Sequence, residues 1–159
     1  MVSQNLDLKF FEKSFGQLGF GDTENRSYPM NLKFLNSQKV CYIACGENFT
    51  AVLTLDGGVF TFGAGMYGQL GHNSFGHEYL PRKVPDLMGS EVTQIACGRC
   101  HTLVYLKSSG CCRLYSFGLG GNGQLGVGDQ PTINRSSPTI IKIDLTKLNN
   151  NSIVIIFLF

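Results

Sequence analysis

A stretch of the chain is written twice. Ile43 to Gly71 reads IACGENFTAVLTLDGGVFTFGAGMYGQLG, and Ile95 to Gly126 reads IACGRCHTLVYLKSSGCCRLYSFGLGGNGQLG. Ile43, Gly46 and Thr50 map onto Ile95, Gly98 and Thr102 with a shift of 52 residues. Phe62, Gly63, Gly65, Gly68, Gln69 and Gly71 map onto Phe117, Gly118, Gly120, Gly123, Gln124 and Gly126 with a shift of 55. The difference is a three-residue insertion around Cys111 and Cys112. A worn third copy stands upstream: Gly16-Gln17-Leu18-Gly19 precedes Gly68-Gln69-Leu70-Gly71 by 52. A period near 50 means that one supersecondary unit is stacked or arranged radially.

Within each unit the pattern is short, alternating and rich in glycine. Val40 to Cys45, Thr50 to Leu55 and Val59 to Phe62 read as strands. Asp56-Gly57-Gly58 supplies a hairpin turn, because Asp-Gly tolerates the positive φ that tight turns need. Lys83 to Leu87, after Pro81, is expected as a fourth strand, since proline suits a strand start better than a ladder interior. The second unit repeats the order with Val92 to Cys97, Thr102 to Leu106, Arg113 to Phe117 and Thr139 to Ile143. Four short strands per unit fit the blade of a β-propeller. No helical period of useful length competes with this reading.

The expected organisation is a degraded partial repeat over 1–39, one blade over 40–91, a second over 92–144, and a divergent apolar tail over 145–159. Leu6, Leu8 and Phe10 alternate as a strand would, so the chain is expected to start in the middle of a unit. Ile153 to Phe159 is wholly apolar but far shorter than the roughly 20 residues a bilayer span needs.

The chain has 159 residues and 43% of them are hydrophobic, enough for a core. Net charge is +2 without a run of Lys or Arg, so no nucleic-acid partner is expected. Met1 to Phe20 carries Asp7, Lys9, Glu12 and Lys13 and does not read as a secretory signal. A cytoplasmic or nuclear protein with reduced thiols is expected, and not a secreted one.

Several motifs invite chemistry, and the repeat explains them better. Gly63-Ala64-Gly65-Met66-Tyr67-Gly68 and Gly118-Leu119-Gly120-Gly121-Asn122-Gly123 spell G-x-G-x-x-G after a strand. A dinucleotide site needs a helix next, whereas Gln-Leu-Gly follows in both copies. Cys97-Gly98-Arg99-Cys100 with Cys111-Cys112 resembles paired zinc knuckles. Cys97 nevertheless shares the repeat position of Cys45, so buried thiols packing between sheets are expected. His101 and Thr102 are expected to close hydrogen bonds between strands, and His72 and His77 to be solvated loop residues. Asp22, Asp56, Asp86 and Asp129 are scattered over turns and form no nucleophile–base grouping. No catalytic residue, metal or cofactor is expected.

IACG-xxx-T followed by V-x-F-x-G-x-G-x-x-G-Q-L-G resembles the repeat of the Regulator of Chromosome Condensation family, from about Leu8 to Ile143. Val40 to Gly71 and Leu87 to Arg99 are similar, more narrowly, to the repeat domains of HERC-type ubiquitin ligases. The resemblance implies a seven-bladed propeller, of which this chain supplies about two to two and a half four-stranded blades. Phe62 and Phe117 stand where many family members carry tryptophan. HERC-type proteins join such a propeller to a HECT catalytic domain, and no residue here resembles that domain. The resemblance therefore implies a non-enzymatic protein-interaction module. Ubiquitin-pathway components would be its partners, and the loops Met66-Tyr67 and Gly121-Asn122 would contribute to the binding face. The wider family also implies an alternative, a guanine-nucleotide exchange regulator of a Ran-type small GTPase.

Overall fold

The computed structural model describes residues 14–108, 111–128 and 133–142. They form two four-stranded antiparallel sheets, each in sequence order. The first blade comprises β1 (Val40–Cys45), β2 (Phe49–Thr54), β3 (Val59–Gly63) and β4 (Glu78–Lys83). The second comprises β5 (Val92–Cys97), β6 (His101–Ser108), β7 (Cys111–Gly118) and β8 (Arg135–Ile141). The expected strand over Leu6 to Phe10 and the tail over 145–159 lie outside the described residues.

The repeat is visible in the pairing. Cys45 stands opposite Thr50 and Cys97 opposite Thr102, and both first strands carry an irregularity after their first residue. The insertion near Cys112 lengthens the hairpin, so that β6 and β7 run eight residues each and pair through Lys107 and Cys112. At the other hairpin, Gly57 holds φ +78°, and the Thr54 amide donates to the Gly58 carbonyl at 2.9 Å.

Two expectations about strands are corrected. The fourth strand of each blade begins earlier than the sequence suggests, at Glu78 and at Arg135, and contains Pro81 or Pro138. Both are outermost strands of their sheets, where a missing N–H leaves the ladder intact. Residues Pro85–Leu87 form a 3-10 turn instead of a strand. Leu55, expected as the last residue of the second strand, lies beyond β2 and is exposed.

The blades pack face to face. Ala51, Leu53, Val59, Val84 and Leu87 of the first blade meet Val92, Ile95, Val104 and Phe117 of the second in one buried cluster. Val52, Phe60 and Phe62, on the opposite face of the first blade, pack on Leu32 and Leu35.

A polar contact also recurs at each step around the stack. The Thr50 hydroxyl donates to the Gln17 carbonyl at 2.8 Å, and the Thr102 hydroxyl donates to the Gln69 carbonyl at 2.8 Å. The Gly-Gln-Leu-Gly turn of each unit is thus the acceptor for the next unit's threonine. In the same way a Cβ at Gly19 would stand 2.9 Å from the Phe62 ring, and one at Gly71 would stand 2.8 Å from the Phe117 ring. Gly19 and Gly71 also hold φ near +75°, so glycine is required there on both counts.

Candidate functional site: a groove across the ends of the blades

The β1–β2 and β5–β6 hairpins and the turn after β7 converge on a groove of about 550 Å³, lined by Cys45, Glu47, Arg99, His101, Asn122 and Gln124 among others. Each hairpin is closed the same way. The Gly46 amide donates to the Phe49 carbonyl and the Gly98 amide to the His101 carbonyl, at 2.9 Å each. The ring of residue 49 or 101 folds over the glycine: a Cβ on Gly46 would meet Phe49 at 1.9 Å, and one on Gly98 would meet His101 at 2.1 Å. His101 is therefore held by stacking as well as by its strand, and burial pushes its pKa down.

An ion pair crosses the groove. Arg99 donates through Nε and Nη2 to the two carboxylate oxygens of Glu47, at 2.9 and 3.0 Å. The Glu47 amide donates in turn to the Arg99 carbonyl at 2.9 Å. The guanidinium hydrogen bonds hold the Glu47 carboxyl below its usual range. The Cys100 thiol sits 3.6 Å from Glu47 Oε2, and burial first, then the carboxylate, pushes its pKa up. Sequence reasoning passed over Glu47 and saw Arg99 and Cys100 only as parts of the CxxC segment. Its available signal was that Glu47 and Arg99 share one repeat position, 52 residues apart, with opposite charge.

The G-x-G-x-x-G segments are turns. Gly68 donates to the Gly65 carbonyl and Gly71 to the Gly68 carbonyl; Gly123 and Gly126 repeat this on Gly120 and Gly123. The Gln69 side chain accepts the Tyr67 amide at 2.9 Å and the Gln124 side chain accepts the Asn122 amide at 2.8 Å. Thr61 and Ser116 tie the turns down by donating to the Leu70 and Leu125 carbonyls, at 2.6 Å each. Gly63 and Gly118 end their strands at φ above +100°. These bonds leave Met66, Gly121 and Asn122 exposed at the tips, with Tyr67 half-buried. Of the residues singled out from sequence, Gly46, Gly98, His101, Asn122 and Gln124 line the groove, whereas Met66 does not.

The cysteines and loop histidines depart in part from expectation. Cys45 is exposed along the groove, because the strand that carries it, β1, is largely exposed; Cys97 is partly buried. Burial, then the neighbouring Cys45, pushes the Cys97 pKa up to about 12, far from the thiolate form a metal or nucleophile role needs. Cys112 pairs with Lys107, at the far end of β6 from Thr102, roughly 17 Å along the strand from the Cys97 end. The CxxC segment and Cys112 therefore do not converge. His72 is buried and not solvated; its Nε2 lies 2.9 Å from the Thr61 hydroxyl. His77 accepts the Gly65 amide through Nδ1 at 3.1 Å and lies against the Phe15 ring.

The groove offers an engaged ion pair, an imidazole and two side-chain amides around apolar walls, which suits recognition of a polypeptide by shape and hydrogen bonding. Among the described residues, no helix is long and apolar enough to cross a membrane.

Comparison with known proteins places these features. The family described as the Regulator of chromosome condensation (RCC1) repeat matches residues 12–53, 56–105 and 113–156. The chain is 65% identical over 128 residues to the probable E3 ubiquitin-protein ligase HERC4 of Rattus norvegicus, covering 80% of this chain and 12% of that protein. It is 58% identical over 123 residues to the probable E3 ubiquitin-protein ligase HERC3 of Homo sapiens, covering 77% of this chain and 12% of that protein. Among solved structures, human WBSCR16 superposes with a TM-score of 0.62 at 30% identity, over 84% of this chain and 34% of that one. Prp20p from Saccharomyces cerevisiae, described with its binding to Gsp1p and histones, superposes with a TM-score of 0.66 at 22% identity, over 84% of this chain and 33% of that one. The two described sheets are blades of a partial β-propeller. The chain spans about an eighth of the HERC relatives and matches their repeat region.

Proposed function

The chain belongs to the RCC1 repeat family, and from that premise we propose that it is a protein-interaction module of a HERC-type ubiquitin ligase, binding ubiquitin-pathway proteins and performing no catalysis of its own. The observation that carries this reading is the 65% identity to HERC4 over 80% of the chain. In this reading the groove and the neighbouring tips Met66-Tyr67 and Gly121-Asn122 meet the partner, in the cytoplasm or nucleus. The engaged Glu47–Arg99 pair supports recognition over bond-making, since neither group is left to exchange a proton at neutral pH.

Proximity labelling from the tagged chain in cells tests the proposal. Enrichment of ubiquitin-pathway proteins is expected, with a reduced set when Tyr67 and Asn122 are both changed to Ala. Recovery of no such protein above a tag-only control sinks it. The exchange-factor alternative draws on the likeness to Prp20p, which at 22% identity concerns the fold alone. Acceleration of nucleotide release from a Ran-type GTPase by the purified chain would favour that alternative.

A further inference from the structure

His72 sits at the joint between the blades. Its chain neighbours both reach the second blade: Gly71 lies against the Phe117 ring, and the Asn73 amide donates to the Ser136 carbonyl at 2.9 Å. His72 itself is only 5% exposed. The second blade has Val127 at the same repeat position, so the imidazole is not a requirement of the turn.

The hydrogen bonds around it settle its protonation. Thr61 has one hydroxyl proton. Its oxygen lies 2.6 Å from the Leu70 carbonyl, which can only accept, so the proton points there. His72 Nε2, 2.9 Å from the same hydroxyl oxygen, must then be the donor. The ring is the neutral Nε2–H form. Nδ1 carries a bare lone pair, buried and without a partner among the described residues. A proton placed on Nδ1 would be a buried donor with no acceptor, on a ring that is now charged.

We propose that His72 is an acid-sensitive latch: neutral, it closes the joint between the blades; protonated, it opens that joint. The charged groups of β4 that act on the ring are Arg82, which opposes protonation, and Glu78, which favours it; these two pair with each other. On β8 the charged residue at the joint is Arg135, whose carbonyl lies against Gly68. Burial is the first cause that keeps the imidazole neutral. Because the folded state resists the proton and the unfolded chain takes it near pH 6.5, the contribution is complete above about 6.5 and is lost as pH falls. The unfolding equilibrium constant gains about tenfold per pH unit below that value, until the folded state also binds the proton.

Nitrogen-15 NMR of the imidazoles in the intact chain tests the protonation state. His72 should show the Nε2–H tautomer and take up its proton at a lower pH than an ordinary imidazole. Amide exchange tests the latch: from pH 7 to pH 5.5 the protection of Asn73 should fall at least several-fold more than that of Val52, which lies inside one blade. His72→Val should shrink the difference in denaturant midpoint between those pH values, leaving the part that the partly buried His101 contributes. An Nδ1–H tautomer, an ordinary titration near 6.5, or equal loss of protection at Asn73 and Val52 would overturn the proposal. The NMR and exchange readings need no variant, so they stand even if His72→Val folds poorly. They are also independent of whether ubiquitin-pathway partners are recovered.

Discussion

Glycines that look alike in the sequence differ sharply in what surrounds them. Gly65 and Gly121 both belong to a G-x-G-x-x-G turn. A Cβ on Gly65 would stand 1.7 Å from the Gly76 carbonyl oxygen, whereas one on Gly121 would meet nothing within 4 Å among the described residues. Gly65→Ala is therefore expected to destabilise the chain by about 1–3 kcal/mol or more, because backbone must move. Gly121→Ala, at the position where the first blade carries Met66, should stay within about 0.5 kcal/mol. Chemical denaturation of the two variants checks this. Thr102 makes a second residue-scale case. Thr102→Val keeps the shape but leaves the buried Gln69 turn without its donor, and should lower stability by about 1–3 kcal/mol. A midpoint unchanged from the parent would remove that bond from the account of the joint.

At the scale of elements, much of the fold was legible and the misses have physical causes. Val40 to Cys45 and Val92 to Cys97 were readable as strands to the residue, because β-branched and apolar side chains run up to a glycine. The fourth strands were misplaced because Pro81 and Pro138 lie inside them, and one-dimensional reading cannot tell an outer strand from an inner one. The glycine turns were legible because they recur. Cys45 was misjudged because burial depends on the face a strand presents to its neighbour, which repeat position alone does not reveal. The Glu47–Arg99 pair was missed because it joins two loops 52 residues apart. That pair makes an element-scale prediction. Glu47→Arg should loosen the two hairpins through like charge, and adding Arg99→Glu should restore the contact in the opposite sense. The pair is solvent-exposed, so the double-mutant coupling should be small and should fade with salt. Coupling that grows with salt would contradict an ionic clip.

Across the whole molecule, a repeat stack is held by sheets and by the joints between them, and the two contributions separate when equivalent residues are compared. Ile43 and Ile95 occupy the same position in β1 and β5. Ile43 is 56% exposed; Ile95 is 3% exposed, within the cluster that joins Ala51, Leu53 and Val59 to Val104 and Phe117. Composition and propensity cannot distinguish them, since both sit in the same IACG sequence. Packing can. Ile95→Ala should cost about 2–5 kcal/mol, the range for a truncated core isoleucine, and Ile43→Ala should cost within about 0.5 kcal/mol. The measurement is a pair of urea transitions followed by hydrogen exchange. If Ile95 acts at the joint, its truncation should reduce protection in both blades together, because each blade's inner face loses its cover. Loss confined to the second blade would place the effect of Ile95 within its own sheet, and equal losses at Ile43 and Ile95 would mean that the blades are not stacked in the observed order.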